Sequence, residues 1–517
     1  MVQKSVSGLK AATRWVGCAH QLRWNRHTRS MVGTAHPAKA SPQAICVGIV
    51  CCLILMAGCK VGPNFKPPQT PVPDKWVGPL PPPPTSAEQD LAQWWTVFQD
   101  PTLTSLVERA VQANLDLKLA EARVRQARAA HGVAISALGP TFGAAGSYGR
   151  SRTAVATANQ YQAGFDAGWE LDLFGGVRRS VEAATANLEA TLDARLNVLV
   201  TLTAEVAAGY IDLRSFQEQI AIAQRNLKAQ QHSADLTRQR FQGGLVGALD
   251  VANAQAQVAT TAAQIPVLEQ SAQQTIYSLS VLLGREPGAL LEELSRSASI
   301  PAAPPAVPAG VPSELLRRRP DIRQAEALIH AATAEIGVAT ADLFPRIALS
   351  GNLGTQGNKF SSLTNWANRF WSIGPSASWN LFNTGLTRSN IEVQKALEEQ
   401  SLIEYRQTVL AALQEVENAL IASTKEQEHY KALTDAVTAN RKAVELATSL
   451  YTQGQTDFLN VLQAQGALYS SENALALSTR TVSTNLIALY KALGGGWTSA
   501  SSAEPTPTPP AEPQTEN

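Results

Sequence analysis

Two stretches of this chain alternate between apolar and polar residues with a period of two. In residues 161–173 the odd positions are apolar, with Tyr161, Phe165 and Trp169 among them, and the even positions are polar or glycine. Residues 371–383 repeat the alternation over most of their length, with Trp371 and Trp379 in the apolar set. Since successive strand side chains point to opposite faces, both stretches predict β-strands with one apolar face.

The predicted strands have the length and polarity of membrane-crossing strands. About 12 residues span a bilayer as a tilted strand but not as a helix. An aromatic face opposite a polar one is typical of a strand between lipid and water. Weaker alternation in residues 142–150 and 347–353 adds one strand before each stretch, so we predict four strands per chain. The side chains predicted to face lipid are Tyr161, Phe165, Trp169, Trp371 and Trp379.

Long helical patterns follow the strands. Residues 177–241 contain no proline and a single glycine, and apolar residues recur at three- and four-residue steps, which is close to a coiled-coil seam. These residues are Val181, Leu188, Leu196, Leu199, Leu202, Val206, Tyr210 and Leu213. Some 65 residues at about 1.5 Å each give a helix of about 100 Å. A glycine-rich turn at residues 243–247 leads into a predicted return helix over residues 249–283, with Pro266 as a predicted kink.

The whole unit occurs twice. At an offset of 205 residues, Asp116, Ala120, Gly132 and Pro140 recur as Asp321, Ala325, Gly337 and Pro345. After a strand connection five residues longer, the offset becomes 210, and Trp169, Gly244, Leu249 and Gly284 recur as Trp379, Gly454, Leu459 and Gly494. We therefore assign a first repeat to residues 85–294 and a second repeat to residues 313–497. Proline-rich residues 295–312 are the predicted linker, and the tail 498–517 is predicted to be disordered.

The amino terminus carries an export signal. Residues 1–59 hold seven Lys/Arg and no Asp/Glu, and an apolar run of about 15 residues precedes Cys59. Leu55-Met56-Ala57-Gly58-Cys59 resembles a bacterial lipobox, which implies a signal peptide over residues 1–58 and lipidation of Cys59. A plain secretory signal with an incidental cysteine is the alternative, and Met31 is an alternative start. Residues 59–84 are proline-rich and predicted to be an extended, lipidated tether.

Composition argues against an enzyme and against nucleic-acid binding. All five cysteines lie in residues 1–59, so the remainder has no disulfide or thiolate metal site. That remainder holds 36 basic and 42 acidic residues, which excludes a strongly basic nucleic-acid surface. The isolated histidines His131, His232, His330 and His429 show no metal-ligand spacing, and no nucleophile elbow or phosphate loop is present. We predict no catalytic residue, no metal site and no cofactor.

Four strands are too few to enclose a pore. An open sheet edge inside a bilayer is costly, so other copies of the chain must complete the sheet. Two chains give eight strands, nearly filled by side chains, and three give twelve strands with a water-filled interior. We favour a trimer. The predicted fold is mainly α with a small β membrane part: a 12-stranded β-barrel continued by a periplasmic α-helical barrel.

Several motifs are similar to those of a known family. They are Cys59-Lys60-Val61-Gly62-Pro63-Asn64-Phe65, Trp94-Trp95, Asp100-Pro101, Arg319-Pro320-Asp321, Gly374-Pro375, Ala464-Gln465 and Gly494-Gly495-Gly496-Trp497. In this order they resemble the outer membrane factor family of tripartite efflux systems, in its lipoprotein branch. The resemblance implies a homotrimeric, lipid-anchored channel in the bacterial outer membrane. It also implies a periplasmic adaptor and an inner-membrane RND-type pump as partners, and drugs or other small molecules as cargo.

The resemblance also implies two periplasmic sites. Gly244, Leu245 and Val246 in the first helical hairpin, and Gly454 and Gln455 in the second, match the tips that contact the adaptor; a purely turn-forming role for the glycines is the alternative. Leu459 and Gln463 match a constriction at these tips. Family members with a gate there often carry an acidic residue where this chain has Gln463, and simple helix packing is the alternative.

Two other functions stay open from the sequence. A type I secretion duct would keep the channel and carry a protein cargo. A non-conducting periplasmic coiled-coil scaffold held by its lipid is the second alternative, although a scaffold has no use for duplicated alternating strands.

Overall fold

A computed structural model describes residues 60–78, 91–154, 156–302, 312–382 and 384–497. The predicted signal peptide, Cys59 and the predicted disordered tail lie outside these residues. The described chain is mainly α-helical with one four-stranded antiparallel sheet, as predicted.

The chain follows the same path twice: short helices, a strand pair, one long helix and a return helix. After a 3-10 segment (Leu91–Phe98), the first pass contains α1 (Pro101–Ala113), α2 (Leu115–Ser136), β1 (Thr141–Arg152), β2 (Thr157–Leu171), α3 (Gly176–Gln242), α4 (Ala248–Leu282) and a single turn, α5 (Leu291–Leu294). The second pass contains α6 (Pro312–Arg318), α7 (Pro320–Ala341), β3 (Arg346–Gly357), β4 (Arg369–Ser378), α8 (Thr384–Thr452) and α9 (Phe458–Ala492). The longer β3–β4 connection holds two short 3-10 turns.

The long helices have the predicted dimensions. α3 has 67 residues and α8 has 69, so each is about 100 Å long. Each packs along its return helix, α3 on α4 and α8 on α9. Within the described residues, α3 is the single helix whose length and composition would allow it to cross a membrane, but 61% of its most apolar window is buried inside the protein.

Both long helices end in the same backbone motif. Gly244 and Gly454 have φ values of 71° and 73°, a left-handed conformation that glycine adopts without strain. The next amides, of Leu245 and Gln455, donate to carbonyls of the last helical turn at 2.8 and 2.9 Å. This pairing satisfies the terminal carbonyls of each helix. The two turns are 210 residues apart, so the repeat in the sequence is also a repeat in the structure.

The main core lies midway along the helices. Trp94 stacks on Tyr490 with ring centroids 5.4 Å apart, next to the buried Leu103 and Leu106 of α1. Asp100 caps α1, since its carboxylate accepts from the amides of Thr102 and Leu103. Its other oxygen accepts from the Tyr210 hydroxyl at 2.7 Å, which fixes α1 against α3.

Several sequence-based boundaries were wrong. β2 ends at Leu171 instead of residue 173, because Asp172 turns back to accept from the amide and guanidinium of Arg178. β4 ends at Ser378 instead of residue 383, which leaves Trp379 just beyond the strand. Pro312, assigned to the linker, is the first residue of α6.

The predicted apolar seam of α3 holds only in part. Leu196, Leu199 and Leu202 are buried as expected. Nearer the sheet, Val181 and Leu188 are only half-buried, and the buried face consists of Ala183, Ala186 and Ala190. Small side chains let neighbouring helices approach closely, so the apolar pattern alone misjudged which face packs here.

Candidate functional site: membrane sheet, N-terminal arm and helix tips

The four strands form one sheet in the order β1-β2-β3-β4, every neighbouring pair being antiparallel. β1 and β4 are therefore the two edges, and each leaves one side of its backbone without a partner in a single chain. In a bilayer such unpaired N–H and C=O groups cost several kcal/mol each, at about the level of a lost hydrogen bond in hydrocarbon. The sheet can exist in lipid only if further copies of the chain close it.

The register gathers most of the large apolar side chains of the four strands on one face. Tyr148 pairs with Tyr161, and Phe165 pairs with Leu353, which in turn pairs with Trp371. Directly paired residues share a face. In a single chain Phe165 is 69% exposed and Trp371 is 74% exposed, although both are large and apolar.

Apart from Phe370, the opposite face of the sheet is polar or small along most of its length. Asp166 pairs with Asn352, and Asn352 accepts a hydrogen bond from Ser372. Glycines and serines fill most of the remaining positions on this face. Water on this side and hydrocarbon on the other match the two surfaces.

Aromatic residues bound the apolar face at both ends. Tyr161 and Trp169 are eight residues apart, or about 26 Å along the strand, close to the height of the apolar band of membrane barrels. At the end that joins the helices, the indole nitrogens of Trp169 and Trp379 donate to the carbonyls of Leu138 and Leu343 at 2.9 and 3.1 Å. Both tryptophans are thus held at the junction between sheet and helices, at equivalent places in the two repeats.

The N-terminal arm, residues 60–78, contains no helix or strand, and contacts with the helices fix it in place. Its Val61 amide donates to the Phe174 carbonyl at 3.1 Å, directly after β2. Arg179, 1% exposed, donates to the Val61 carbonyl at 3.1 Å and to the Asn64 side chain at 2.7 Å. Gly62 has a φ of 86°, and a Cβ there would lie 2.5 Å from the Gly337 Cα. The arm is therefore seated against α3 and α7 by close backbone approach.

Charged groups also hold the arm against the helices. Lys60 and Arg179 both contact Glu182, at 2.8 and 3.0 Å, and His330 lies 3.3 Å from the same carboxylate. The Phe65 ring stacks on His330 with centroids 4.4 Å apart. Burial raises the pKa of Glu182, but hydrogen bonds from Lys60 and His330 and the charge of Arg179 outweigh burial and hold it below its ordinary value.

The far end of the arm is also fixed. The amides of Val77 and Gly78 donate to the Glu417 carboxylate at 2.7 and 2.9 Å, and Trp76 is buried in the main core. The arm therefore runs from the sheet–helix junction to the middle of the helices. The sequence analysis did not identify Arg179 as the partner of the arm. The second repeat has Ser389 at the position equivalent to Arg179, and this difference between the repeats could have drawn attention to the arginine.

The predicted tip residues lie at the far end of the helical hairpins. Gly244, Leu245, Gly454 and Gln455 are exposed. Val246 differs, because it is half-buried against a small cluster that contains Tyr451 and Phe458. Four of the five residues are therefore accessible to another protein in the single chain.

The two tips are linked by residues that sequence reasoning missed. Arg240 donates to the Tyr451 carbonyl at 2.6 Å, and its guanidinium lies 4.6 Å from the centre of the Tyr451 ring. Gln465 donates to Ser233 at 2.8 Å a few turns further up. The second hairpin has Leu450 at the position equivalent to Arg240 of the first hairpin. This difference between the repeats could have indicated that Arg240 has a contact of its own.

The candidate gate residues share one face of α9. Leu459 and Gln463 are one helical turn apart, and both are exposed, whereas the intervening Val461 is buried. Helix packing within one chain therefore does not account for them. They are free to meet other copies of the chain or the channel interior.

Comparisons with known proteins agree with this architecture. The family model described as outer membrane efflux protein matches residues 106–285 and 311–495. Nodulation protein T of Rhizobium leguminosarum bv. trifolii is 32% identical over 456 residues, covering 86% of this chain and 96% of that protein. A toluene efflux pump outer membrane protein of Pseudomonas putida, TtgC, is also 32% identical, covering 86% and 94%. The solved outer-membrane channel OprN has a TM-score of 0.80 and 38% identity, covering 85% of this chain and 100% of that structure.

Fold, sheet and similarities together define a trimeric membrane channel with a long helical periplasmic part. The chain belongs to the outer membrane efflux protein family. Three copies form a 12-stranded barrel in the bacterial outer membrane, continued by the helical barrel. The channel works with a periplasmic adaptor and an inner-membrane pump in a tripartite efflux system. Members of the family are channels rather than enzymes, and the scaffold alternative is set aside.

Proposed function

We propose that this chain forms a passive exit duct for drugs or other small molecules, handed over by an RND-type pump and its adaptor. The observation that carries the proposal is the sheet with two open edges, one apolar and one polar face, continuous with two hairpins of about 100 Å. The duct itself carries out no reaction and needs no cofactor. In the described residues no group of His, Cys, Asp or Glu is arranged to hold a metal ion.

The cargo is a small molecule, and the pump and adaptor select it before it reaches the duct. Relatives with similar sequences are named for toluene efflux in Pseudomonas putida, pyoverdine export in Pseudomonas aeruginosa and cation efflux in Escherichia coli. These cargoes share no recognisable chemistry, which favours a generic polar interior over a specific binding site. They also favour small molecules over the protein cargo of a type I secretion duct.

Cys59 is the lipid attachment site. Support comes from Val61, which is bonded to Phe174 at the end of β2, and from Lys60, which pairs with Glu182. Residue 60 is thereby held at the junction between sheet and helices. A lipid attached one residue earlier would enter the inner leaflet without stretching the chain.

The helix tips contact the adaptor, and the channel narrows beside them. Gly244, Leu245, Gly454 and Gln455 are exposed, which supports an adaptor-binding surface at the tips. Val246 packs beneath this surface against the Tyr451 and Phe458 cluster. A ring of Leu459 and Gln463 forms the constriction. Its amide side chains make the ring polar but uncharged, unlike the acidic ring of some family members.

The chain divides into functional parts at the boundaries set out from the sequence, except that Pro312 belongs with the second repeat. The signal peptide ends at residue 58, the lipidated segment runs over 59–84, and the first repeat covers 85–294. A linker leads to the second repeat, which ends at residue 497 and is followed by a tail. Tyr161, Phe165, Trp169, Trp371 and Trp379 form the lipid-facing belt of the barrel. The two matched segments of the family model support the division into repeats.

The test of the duct is the conductance of the purified trimer in a planar bilayer, with Arg240→Ala as the opening variant. Arg240 links the two tips by a charged hydrogen bond, which stabilises by roughly 1.5 to 3 kcal/mol, and by a cation–π contact, which adds roughly 0.5 to 2 kcal/mol. We expect a low conductance for the wild-type trimer and a several-fold higher one for Arg240→Ala. In cells, loss of the gene should raise the accumulation of a pumped fluorescent drug.

A matched control is Arg238→Ala, on the same helix, where the arginine is exposed and pairs with Asp235 one turn away. Its conductance should equal that of the wild type. If neither the wild type nor Arg240→Ala conducts while both assemble as trimers, the chain is not a duct. If Arg238→Ala opens the channel as much as Arg240→Ala, the link between the tips is not what holds it closed.

Cys59→Ser should abolish lipid attachment. A hydroxyl cannot replace the thiol that is acylated, and each buried CH₂ of an acyl chain contributes about 0.8 kcal/mol to membrane binding. Intact-protein mass spectrometry should show an acylated mass for the wild type and none for Cys59→Ser. Cys52→Ser, seven residues earlier, serves as the control and should keep the acylated mass. An acylated Cys59→Ser protein would rule out this site.

A further inference from the structure

Among the described residues, the distal end of the sheet carries no α-helix, only two short 3-10 turns between β3 and β4. All the long elements join the strands at the opposite end, where α2 precedes β1 and α3 follows β2. The β1–β2 turn and the β3–β4 connection therefore mark the end of the barrel that points out of the cell. Three arginines, Arg150, Arg152 and Arg369, lie in the strands near this end, and all three are exposed.

The register places these distal arginines on the apolar face. Arg150 and Arg152 follow Tyr148 at steps of two along β1, so their side chains share its face. Arg369 stands two residues before Trp371 on β4, on that same face. None of the three lies on the polar face that lines the channel. The cations thus sit on the side that faces lipid under the function proposed above.

Aromatic rings separate Arg150 and Arg152 from the middle of the apolar band, whereas the backbone of Arg369 lies inside that band, level with Ala163, and its guanidinium turns towards Trp366 of the β3–β4 connection. Tyr148 packs on Tyr161 with ring centroids 4.7 Å apart, and Phe360 packs on the other side of Tyr161 at 6.1 Å. Aromatic side chains of membrane barrels lie at the boundary between hydrocarbon and headgroups. Side chains just beyond this layer lie among the headgroups of the outer leaflet.

The chain offers these arginines no acidic partner. Residues 141–165 and 346–378 contain no Asp or Glu. In the part of the chain that the structure describes, none of the three forms an ion pair, and the guanidinium of Arg369 rests on the Trp366 ring. The exposed Lys359 adds a further positive charge to this end. Each subunit therefore presents uncompensated cations at both edges of the sheet, towards its distal end.

We propose that Arg150, Arg152 and Arg369 form a binding surface for the phosphate groups of the outer-leaflet glycolipid. The planar guanidinium matches phosphate oxygens with two parallel hydrogen bonds, and such charge-assisted bonds are the strong ones. The acyl chains of the same lipid pack on the apolar face below. Because β1 and β4 are the sheet edges, closing the barrel brings the Arg369 strand beside the strand of the next subunit that carries Arg150 and Arg152. The lipid therefore bridges the seam between subunits.

The experiment measures lipid retained by the purified full-length trimer, using native mass spectrometry. The probes are lipid A with both phosphates, the same lipid after enzymatic removal of its phosphates, and inorganic phosphate alone. The variant is Arg150→Gln, Arg152→Gln and Arg369→Gln combined. The control removes three other exposed charges, Lys395→Gln, Lys425→Gln and Lys442→Gln, each of which pairs with a glutamate one turn away on α8.

We expect the wild type and the lysine control to retain the phosphorylated lipid. The arginine variant should retain at least about tenfold less, because it loses several charge-assisted hydrogen bonds. The dephosphorylated lipid should be retained poorly by all three proteins. The heat resistance of the wild-type trimer should rise when phosphorylated lipid A is added, and that of the arginine variant should not.

Three results would overturn the proposal. One is equal retention of phosphorylated and dephosphorylated lipid by the wild type, which would mean that acyl chains alone bind. Another is undiminished retention by the arginine variant. The third is binding of inorganic phosphate as tight as that of the lipid, which would indicate a site for a free anion. Should the triple variant fail to assemble, Arg152→Gln alone, at the end of β1, provides the same comparison. Planar-bilayer conductance of each protein tests the proposed duct, so a failure of lipid binding can be told apart from a failure of the duct.

Discussion

Phe165→Arg is expected to prevent the channel from assembling in the membrane. Phe165 lies midway between Tyr161 and Trp169 on the apolar face, the face that we propose is in contact with hydrocarbon. An arginine near the bilayer midplane on a lipid-facing strand costs roughly 2 to 4 kcal/mol. A trimer carries the change three times, so the barrel loses roughly 6 to 12 kcal/mol. Outer-membrane fractions should contain little or no heat-resistant trimer on electrophoresis.

The control places the same side chain at the same height on the other face. Asn352 pairs with Asp166 on the polar side of the sheet, so Asn352→Arg puts a guanidinium in water beside a carboxylate. This variant should assemble at about the wild-type level. If Asn352→Arg destroys the trimer and Phe165→Arg leaves it intact, the two faces have been assigned the wrong way round, and the polar face is the one that meets lipid.

The two faces of each strand could be predicted from the sequence, because side chains at even and odd positions of a strand point to opposite faces. Tyr161 and Phe165 must share a face in any register, and the pairing of Leu353 with both Phe165 and Trp371 extends that face across the sheet. Strand ends were not readable in the same way. Asp172 fits the alternation, yet it leaves the strand to bind Arg178, six residues along the chain.

The contacts of the arm and tips were beyond sequence reasoning, since they join residues far apart in the chain. Arg179 and Asn64 are separated by 115 residues, and Arg240 and Tyr451 by 211. No short-range pattern encodes such a contact. The duplication offered one indirect signal, because both arginines depart from the residue found at the same place in the second repeat. A residue that differs between the two repeats marks a position where one repeat has a contact that the other lacks.

The second large effect is expected from Arg179→Ala, which removes the seat of the N-terminal arm. Arg179 is buried and holds two carbonyls, the Asn64 side chain and the Glu182 carboxylate. Each hydrogen bond to a charged group contributes roughly 1.5 to 3 kcal/mol, so loss of the bonds to Val61 and Asn64 weakens docking of the arm by several kcal/mol, although Glu182 keeps Lys60 and His330 as partners. The arm should detach at its first residues, and trypsin should then cleave the Lys60–Val61 bond much faster than in the wild type.

The readout separates release of the arm from general unfolding. Lys75, near the far end of the arm, is followed by the buried Trp76, and this bond should stay protected in Arg179→Ala. Arg225→Ala is the control, since Arg225 is exposed and pairs with Glu218, an interaction of about 0.5 kcal/mol. Equal cleavage after Lys60 in the wild type and in Arg179→Ala would show that the arm does not depend on this arginine.

Acid should release the arm of the wild type in the same way. The pKa of Glu182 is lower in the folded protein than its ordinary value, so the ionised carboxylate stabilises the docked arm. This stabilisation is complete above the ordinary pKa of a glutamate and is lost as the pH falls through the lowered value. At neutral pH Lys60, Arg179 and Glu182 thus hold the first residues of the N-terminal arm beside the sheet.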